Sequence, residues 1–277
     1  MGVRSRSLAA VAAAIFLASM PVQAQDSPSV VSFQGISFAF DRTLGTNVNI
    51  MEVPGDPPAG IFVSSPGAGH LAFSLYRTRR PEQRLPRPFE VPGTVSFYRV
   101  SDLAEYVRAS QQLEDLKSLL DERPDLDALT ASDAETSSGL LPFMLTDAAA
   151  QLIDARGRYI DTPELSGVAY LTVLAQDLIP FGRDDFWYTF QGLSADGQWY
   201  VTVDFQVEAG MFPARVTRRT MRRVVASADA WMRYRDQSIQ TLNGAPDDAF
   251  TPSLATIDEL VRSITFDRLS PTDSRGG

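Results

Sequence analysis

Cysteine is absent from this 277-residue chain, and histidine and lysine occur once each, as His70 and Lys117. Each scarcity closes a chemistry. Without cysteine there is no disulfide framework, no thiolate nucleophile and no Cys-based zinc site, so stability must come from packing. With one histidine, a Ser-His-Asp triad has a single candidate base. His70 begins a strand beside a glycine, where a half-exposed structural role is the default. Residues 60–69 are rich in Ser and Gly, but they contain neither G-x-S-x-G nor a lysine after the glycines, so they read as an ordinary loop. No D-x-D-x-D-G spacing marks a calcium loop. The chain therefore offers no catalytic motif, no metal-ligand set and no cofactor fingerprint, and no cofactor is expected. Acids outnumber bases, 34 to 25, for a net charge of −9. Such a balance argues against nucleic acid or anionic membrane as a general partner.

Long hydrophobic runs are equally scarce. One occupies residues 8–20, after Arg4 and Arg6 and before Pro21-Val22-Gln23-Ala24. With Val22 and Ala24 at the small-residue positions, residues 1–24 read as a signal peptide cleaved between Ala24 and Gln25. The run is too short and wrongly flanked for a stable membrane span, and no other stretch approaches that length. The expectation is an exported protein, periplasmic or secreted, with no integral membrane span. Cleavage removes Arg4 and Arg6 and no acid, leaving about 253 residues at −11. With 44% hydrophobic and 10% aromatic residues, residues 25–277 can bury the core of one domain.

What is present centres on residues 184–207. Phe186, Tyr188 and Phe190 alternate with Trp187, Thr189 and Gln191; Trp199, Val201, Val203, Phe205 and Val207 alternate with Tyr200, Thr202, Asp204 and Gln206. Each arm thus has an apolar face, and Asp196-Gly197 supplies a tight hairpin turn. Aromatics on both faces of the first arm imply a helix layer over its second face. Upstream, a polar leader at 25–30 precedes strands at 33–40 and 48–53, paired as a hairpin, then strands at 70–76 and 94–100. An irregular Arg-rich connection, 77–88, separates the last two. A helix from Ser101 to Arg123 carries Leu103, Tyr106, Val107, Leu113, Leu116, Leu119 and Leu120 on one side. A polar exposed loop at 125–139, an apolar segment at 140–145 and a short helix at 146–154 complete a helical insertion of about 101–154. Strands at 157–161 and 167–176 follow, the latter apolar on both faces and placed centrally. After the hairpin come a long helix within 215–242, ended by Asn243-Gly244, a last helix at 256–263, an edge strand at 264–266 and a tail that frays from about 268. The fold class is α+β: a mostly antiparallel twisted sheet with flanking helices.

The pattern Phe-x-Tyr-Thr-Phe-Gln-Gly-Leu-x-x-Asp-Gly-x-x-Tyr-Val, Phe186 to Val201, resembles a hallmark of a family of uncharacterised exported bacterial proteins. Its members carry counterparts of Gly35-Ile-Ser-Phe-Ala-Phe-Asp41, of Leu119-Leu-Asp-Glu-Arg-Pro124, of Leu141-Pro142-Phe143 and of the strand from Gly167 to Thr172. The family's Leu-Phe-Asn-Ala-Ala-Gln motif is reduced here to Leu145-Thr-Asp-Ala-Ala-Ala150. The resemblance implies export and no particular activity. Its motif residues Tyr188, Phe190, Gly192, Asp196 and Gly197 are accounted for by packing and turn geometry. A weaker similarity, from Ile257 to Phe266, is to the final helix and strand of the PsbP-like fold, and it carries no function by itself.

Two charged features remain. Paired carboxylates are the surviving catalytic route, with Asp184 and Asp185 before the hairpin and Asp204 on its polar face; turn chemistry and solvent exposure are the simpler roles. Arg215, Arg218, Arg219, Arg222 and Arg223 cluster at the start of the long helix, where the dipole disfavours cations. Pairing with the chain's own acids would offset this; so would an anionic ligand or an envelope protein. The leading function is a non-catalytic extracytoplasmic binding or accessory protein. The competitors are a carboxylate-dependent hydrolase acting on cell-envelope or imported material, and a homo-oligomer joined through the long helix.

Overall fold

The structure, a computed structural model, describes residues 27–57, 67–77, 93–126, 141–144 and 150–267. The expected signal peptide, most of the expected loops at 60–69, 77–88 and 125–139, the first part of the 146–154 segment and the tail from 268 lie outside these residues.

The large sheet is antiparallel throughout and joins two meanders. The first is β3 (Asn47–Val53), β4 (His70–Tyr76) and β5 (Gly93–Arg99). The second is β6 (Ala150–Asp161), β7 (Leu165–Ala175), β8 (Phe186–Ser194) and β9 (Trp199–Ala209). They meet edge to edge through β5 and β9, so the order is β3-β4-β5-β9-β8-β7-β6, with β10 (Phe250–Thr251) also pairing with β9. A second small sheet holds β1 (Ser29–Phe33), β2 (Ile36–Phe40) and β11 (Thr265–Phe266). The β8–β9 hairpin lies at the heart of the large sheet, because β9 is the strand through which the second meander pairs with β5 of the first.

Each face of the large sheet buries its own core. On one face Phe73, Phe97, Tyr188, Phe190, Val201, Val203, Phe205 and Val207 pack with β2 and with the helices α4 (Ala228–Asn243) and α5 (Leu254–Arg262). On the other face Tyr98, Val168, Tyr170 and Tyr200 lie under α1 (Val100–Leu103), α2 (Val107–Glu122) and the strap Leu141–Met144. This second layer is the cover that the two-faced aromatic content of β8 calls for. The α+β class and the mostly antiparallel sheet stand as read from the sequence.

Several elements differ from their expected form. Residues 150–154, expected as helix, are the first part of the twelve-residue strand β6. Its register shifts between Gln151 and Asp154 and again between Ala155 and Arg158. These irregularities place four consecutive buried residues at 152–155 and erase the two-residue alternation that marks a strand. The leader and the expected strand 33–40 are instead a hairpin, β1–β2, that turns at Gln34 and Gly35, with φ of 49° and 79°. The second strand, β3, pairs with β4 and not with β2. The 101–123 helix breaks at 104–106. There Tyr106 is extended and buried and donates its hydroxyl to Asp56 O at 3.0 Å, while Val107 is 87% exposed. The 215–242 helix also splits, into α3 (Arg218–Val224) and α4. Thr217 caps the first by accepting from Thr220 N–H, and Ser227 caps the second by accepting from Ala230 N–H. The larger part of the expected helix is thus the 16-residue α4. β7 is buried on both faces as expected, but it is next to the edge strand β6.

Candidate functional site

The motif residues of the hairpin are structural, each for a visible reason. Tyr188 is fully buried and donates its hydroxyl to Asp258 Oδ1 of α5 at 2.9 Å. Arg158 of β6 reaches the same carboxylate, with Nε 2.9 Å from Oδ2. Strands β6 and β8 and the last helix are thereby tied by one half-buried ion pair. Gly192 pairs across the ladder with Gly167, and the Phe190 ring lies over the two. A Cβ at Gly192 would sit 2.4 Å from Phe190 Cζ. Asp196 Oδ1 accepts from Ser194 Oγ at 2.6 Å and from Gln198 N–H at 3.0 Å, and these bonds lower its pKa. Only Gly197 of the turn has positive φ, at 69°, so the connection is a four-residue loop at 195–198 and not a two-residue Asp-Gly turn.

The carboxylates weighed as catalytic do not converge. Asp184 is exposed and 3.5 Å from Arg183, and Asp185 Oδ2 accepts from Gly182 N–H at 2.7 Å. Asp204 sits mid-strand beneath the α2 layer, half-buried and not solvated as expected. It accepts from Thr189 Oγ1 at 2.7 Å, and burial pushes its carboxyl up to about 6. His70 Nδ1 lies 3.0 Å from Ala68 O, its ring is 4.6 Å from that of Tyr98, and burial lowers its pKa. No serine or carboxylate partners it among the described residues.

Asp204 belongs to a buried polar network on this face. Gln191 donates to Thr189 Oγ1 at 2.7 Å, and its carbonyl accepts from Tyr200 OH at 2.9 Å and from Met144 N–H at 3.1 Å. Phe143 N–H donates to Gln112 of α2 at 2.6 Å, and Leu141 N–H to Asp154 Oδ2 at 2.6 Å. The strap at 141–144 is thus latched by three side-chain oxygens from three elements. Burial pushes the Asp154 carboxyl up to about 7. Its polar groups are spent largely on one another.

The five arginines are all exposed. α3 is short, so only Arg218 and Arg219 occupy its first turn. Arg222 and Arg223 lie in its last turn, where the dipole favours cations, and Arg215 precedes the helix. At 3.6 residues per turn the four helical arginines fan over about 140°. Val224, buried, and Thr220 and Met221, half-buried, fill the opposite side. No carboxylate occurs in the sequence between Glu208 and Asp229. Among the described residues none of the five comes within 4.0 Å of one. Among the described residues, then, no acid of the chain offsets this patch. Elsewhere Arg123, Arg156, Arg158, Arg183 and Arg235 all carry ion pairs.

A cleft of about 710 Å³ opens at one end of the large sheet. The turns β1–β2, β6–β7 and β8–β9, the end of β5 and strand β11 surround it. Its floor is Ile36, Trp199 and Phe266. The two rings are nearly parallel, 13° apart, with centroids 6.5 Å apart. The Arg99 guanidinium lies 4.3 Å above the Trp199 ring. Main-chain bonds fix the walls: Asp267 N–H to Gly35 O at 2.7 Å, Ala195 N–H to Glu164 O at 2.9 Å and Val100 N–H to Gln198 O at 2.9 Å.

No family model and no curated protein matches this chain. The site must be judged on its geometry.

Sequence reasoning passed over Arg99, Asp154 and Asp258. Asp258 had a signal: it stands in the apolar stripe Leu254, Ile257, Val261 of an amphipathic helix, where an acid needs a buried partner. Arg99 had none, because the cleft around it is assembled from distant turns. Among the described residues no group of three His, Asp or Glu side chains is placed to hold a metal ion, and no helix is long and apolar enough to cross a membrane.

Proposed function

We propose that this protein is a non-catalytic binding or accessory protein of the extracytoplasmic space. It engages an anionic ligand or an acidic envelope protein through Arg215, Arg218, Arg219, Arg222 and Arg223. The observation that carries the reading is the patch itself: five exposed guanidiniums with no carboxylate partner among the described residues, on a chain of net charge −9. Guanidinium groups bind carboxylates and phosphates bidentately, and a segment free of acids leaves their potential uncancelled. Export rests on the basic, apolar and small-residue pattern of residues 1–24 and on the resemblance to exported bacterial proteins. The PsbP-like similarity at 257–266 is compatible with an accessory role.

The test is retention of the purified protein on an immobilised sulfated or phosphorylated polymer at low salt. The wild type is expected to bind and to elute as ionic strength rises, because exposed charges are screened within about 10 Å at 0.1 M salt. Arg218→Glu with Arg222→Glu should abolish retention while leaving the circular dichroism and the Tm in place. Flow-through of the wild type, or unchanged retention of the variant, would overturn the reading.

A carboxylate-dependent hydrolase is the second reading, favoured only by the presence of Glu164, Asp196 and Asp267 around the cleft. It ranks lower because hydrogen bonds from Ser194 and Gln198 hold Asp196 in its ionised form, the wrong direction for a general acid.

A further inference from the structure

We infer that the cleft at the Trp199 end of the sheet is a second binding site, distinct from the arginine patch, and that it takes a pyranose unit of neutral or amino-sugar type. Its volume of about 710 Å³ lies within the range of small-molecule sites, roughly 300–1,000 Å³. The site combines an aromatic and aliphatic floor with polar groups that the protein leaves unused. The Arg99 guanidinium, the Trp199 indole N–H, the Gln198 carboxamide and the Asp267 carboxylate have no hydrogen-bond or ion-pair partner among the described residues. Asp196 commits Oδ1 to Ser194 and Gln198 and keeps Oδ2.

This inventory narrows the ligand. The free groups are donors and acceptors in near balance, set around apolar rings. A hydroxyl both donates and accepts, so a ring bearing several hydroxyls can serve both kinds of group at once. A sugar ring also has apolar C–H faces that can cover the exposed parts of Trp199 and Phe266. An anionic ligand is disfavoured, because the walls carry three carboxylates against one guanidinium. A simple polyamine would satisfy the carboxylates but would face Arg99 across the same space. Arg99 is held over Trp199 by a cation–π contact, so it is oriented before any ligand arrives. The main-chain bonds that fix three of the walls serve the same preorganisation.

The test follows the indole N–H resonances of the full chain, whose three tryptophans are Trp187, Trp199 and Trp231. The probes are a glucose tetramer and a glucosamine tetramer, with spermidine and a sulfated disaccharide as charge controls. The expected result is a saturable shift of the Trp199 resonance, assigned by its loss in Trp199→Phe, with at least one of the two tetramers and with neither control. Arg99→Ala and Gln198→Ala alter exposed side chains and should each weaken the response tenfold or more. Arg218→Glu with Arg222→Glu should leave it unchanged, which separates this site from the arginine patch. No saturable shift with either tetramer, a shift with spermidine or the sulfated disaccharide, or full retention of binding in both Arg99→Ala and Gln198→Ala would overturn the proposal.

Discussion

Replacing Asp154 by Asn should flatten the pH dependence of stability. Asp154 is 2% exposed and accepts from Leu141 N–H and from the Gln151 carboxamide. No cation pairs with it among the described residues. Burial penalises its charged form more than these hydrogen bonds favour it, so its carboxyl titrates at about 7 instead of 3.8. The folded protein therefore keeps a proton that the unfolded chain has already released. That contribution to stability is complete below pH 3.8 and is lost as pH rises through about 7. Three pH decades at about 1.36 kcal/mol each set a ceiling of about 4 kcal/mol. Asparagine keeps the shape and a carbonyl oxygen for Leu141 N–H, and it carries no charge. Urea denaturation at pH 5 to 8.5 takes in about two of those decades and should show the wild type losing about 2–3 kcal/mol more than Asp154→Asn across that span. The variant should be the more stable of the two at the alkaline end, with a Tm gap of roughly 5–10 °C. Asp204, raised to about 6, adds a slope of the same sign, and His70, lowered by burial, adds one of opposite sign. Both are present in either protein, so they cancel in the difference. Parallel curves for the two proteins would refute the reasoning.

Asp258→Asn leaves Arg158 half-buried without its carboxylate and should cost about 3–5 kcal/mol in urea denaturation. Tyr188→Phe removes one hydrogen bond to the same group and should cost only about 1 kcal/mol; equal losses would mean that the ion pair is not the larger element of the tie. Gly192→Ala forces the Phe190 ring off the Gly167–Gly192 pair and should cost about 1–3 kcal/mol. Adding Phe190→Leu, which withdraws the obstructing ring, should make the two changes less costly together than their sum, and strict additivity would show that the ring is not what excludes the methyl.

The legible parts of the fold are those where one period runs unbroken. β4 was bounded correctly and β8–β9 nearly so, because alternation holds from Phe186 to Phe190 and from Trp199 to Val207 without a bulge. The β6 bulges destroy that signal, so residues 150–154 read as the end of the short 146–154 helix. The β1–β2 turn was hidden for a different reason. Gln34-Gly35 lies inside a run of apolar and β-branched residues, and nothing before the turn marks Val30 and Val31 as partners of Ala39 and Phe38. The helix breaks at Tyr106 and Ser227 fall where apolar spacing continues across them, so periodicity alone runs straight through. At each break a local bond decides: Tyr106 OH to Asp56 O, and Ala230 N–H to Ser227 Oγ.

The candidate sites divide along the same line. The arginine patch was visible because its five residues lie within nine positions and share one exposed surface. The cleft was not, because Arg99, Trp199, Asp196 and Phe266 come from separate strand ends that only the sheet order brings together. The polar face of the main hairpin shows the physical limit most clearly. Thr189, Gln191, Thr202 and Asp204 look like a solvated face by composition, yet the first three are buried. What hides them is a helix from earlier in the chain and a strap at 141–144 whose backbone N–H groups need acceptors of just that kind. Gln191 is polar because Met144 N–H and Tyr200 OH both donate to it, and Asp154 because Leu141 N–H does. Hydropathy assigns such residues to water one at a time; their burial follows only when donors and acceptors are matched across the fold, and in that matching Asp154 acquires the proton on which its pH test depends.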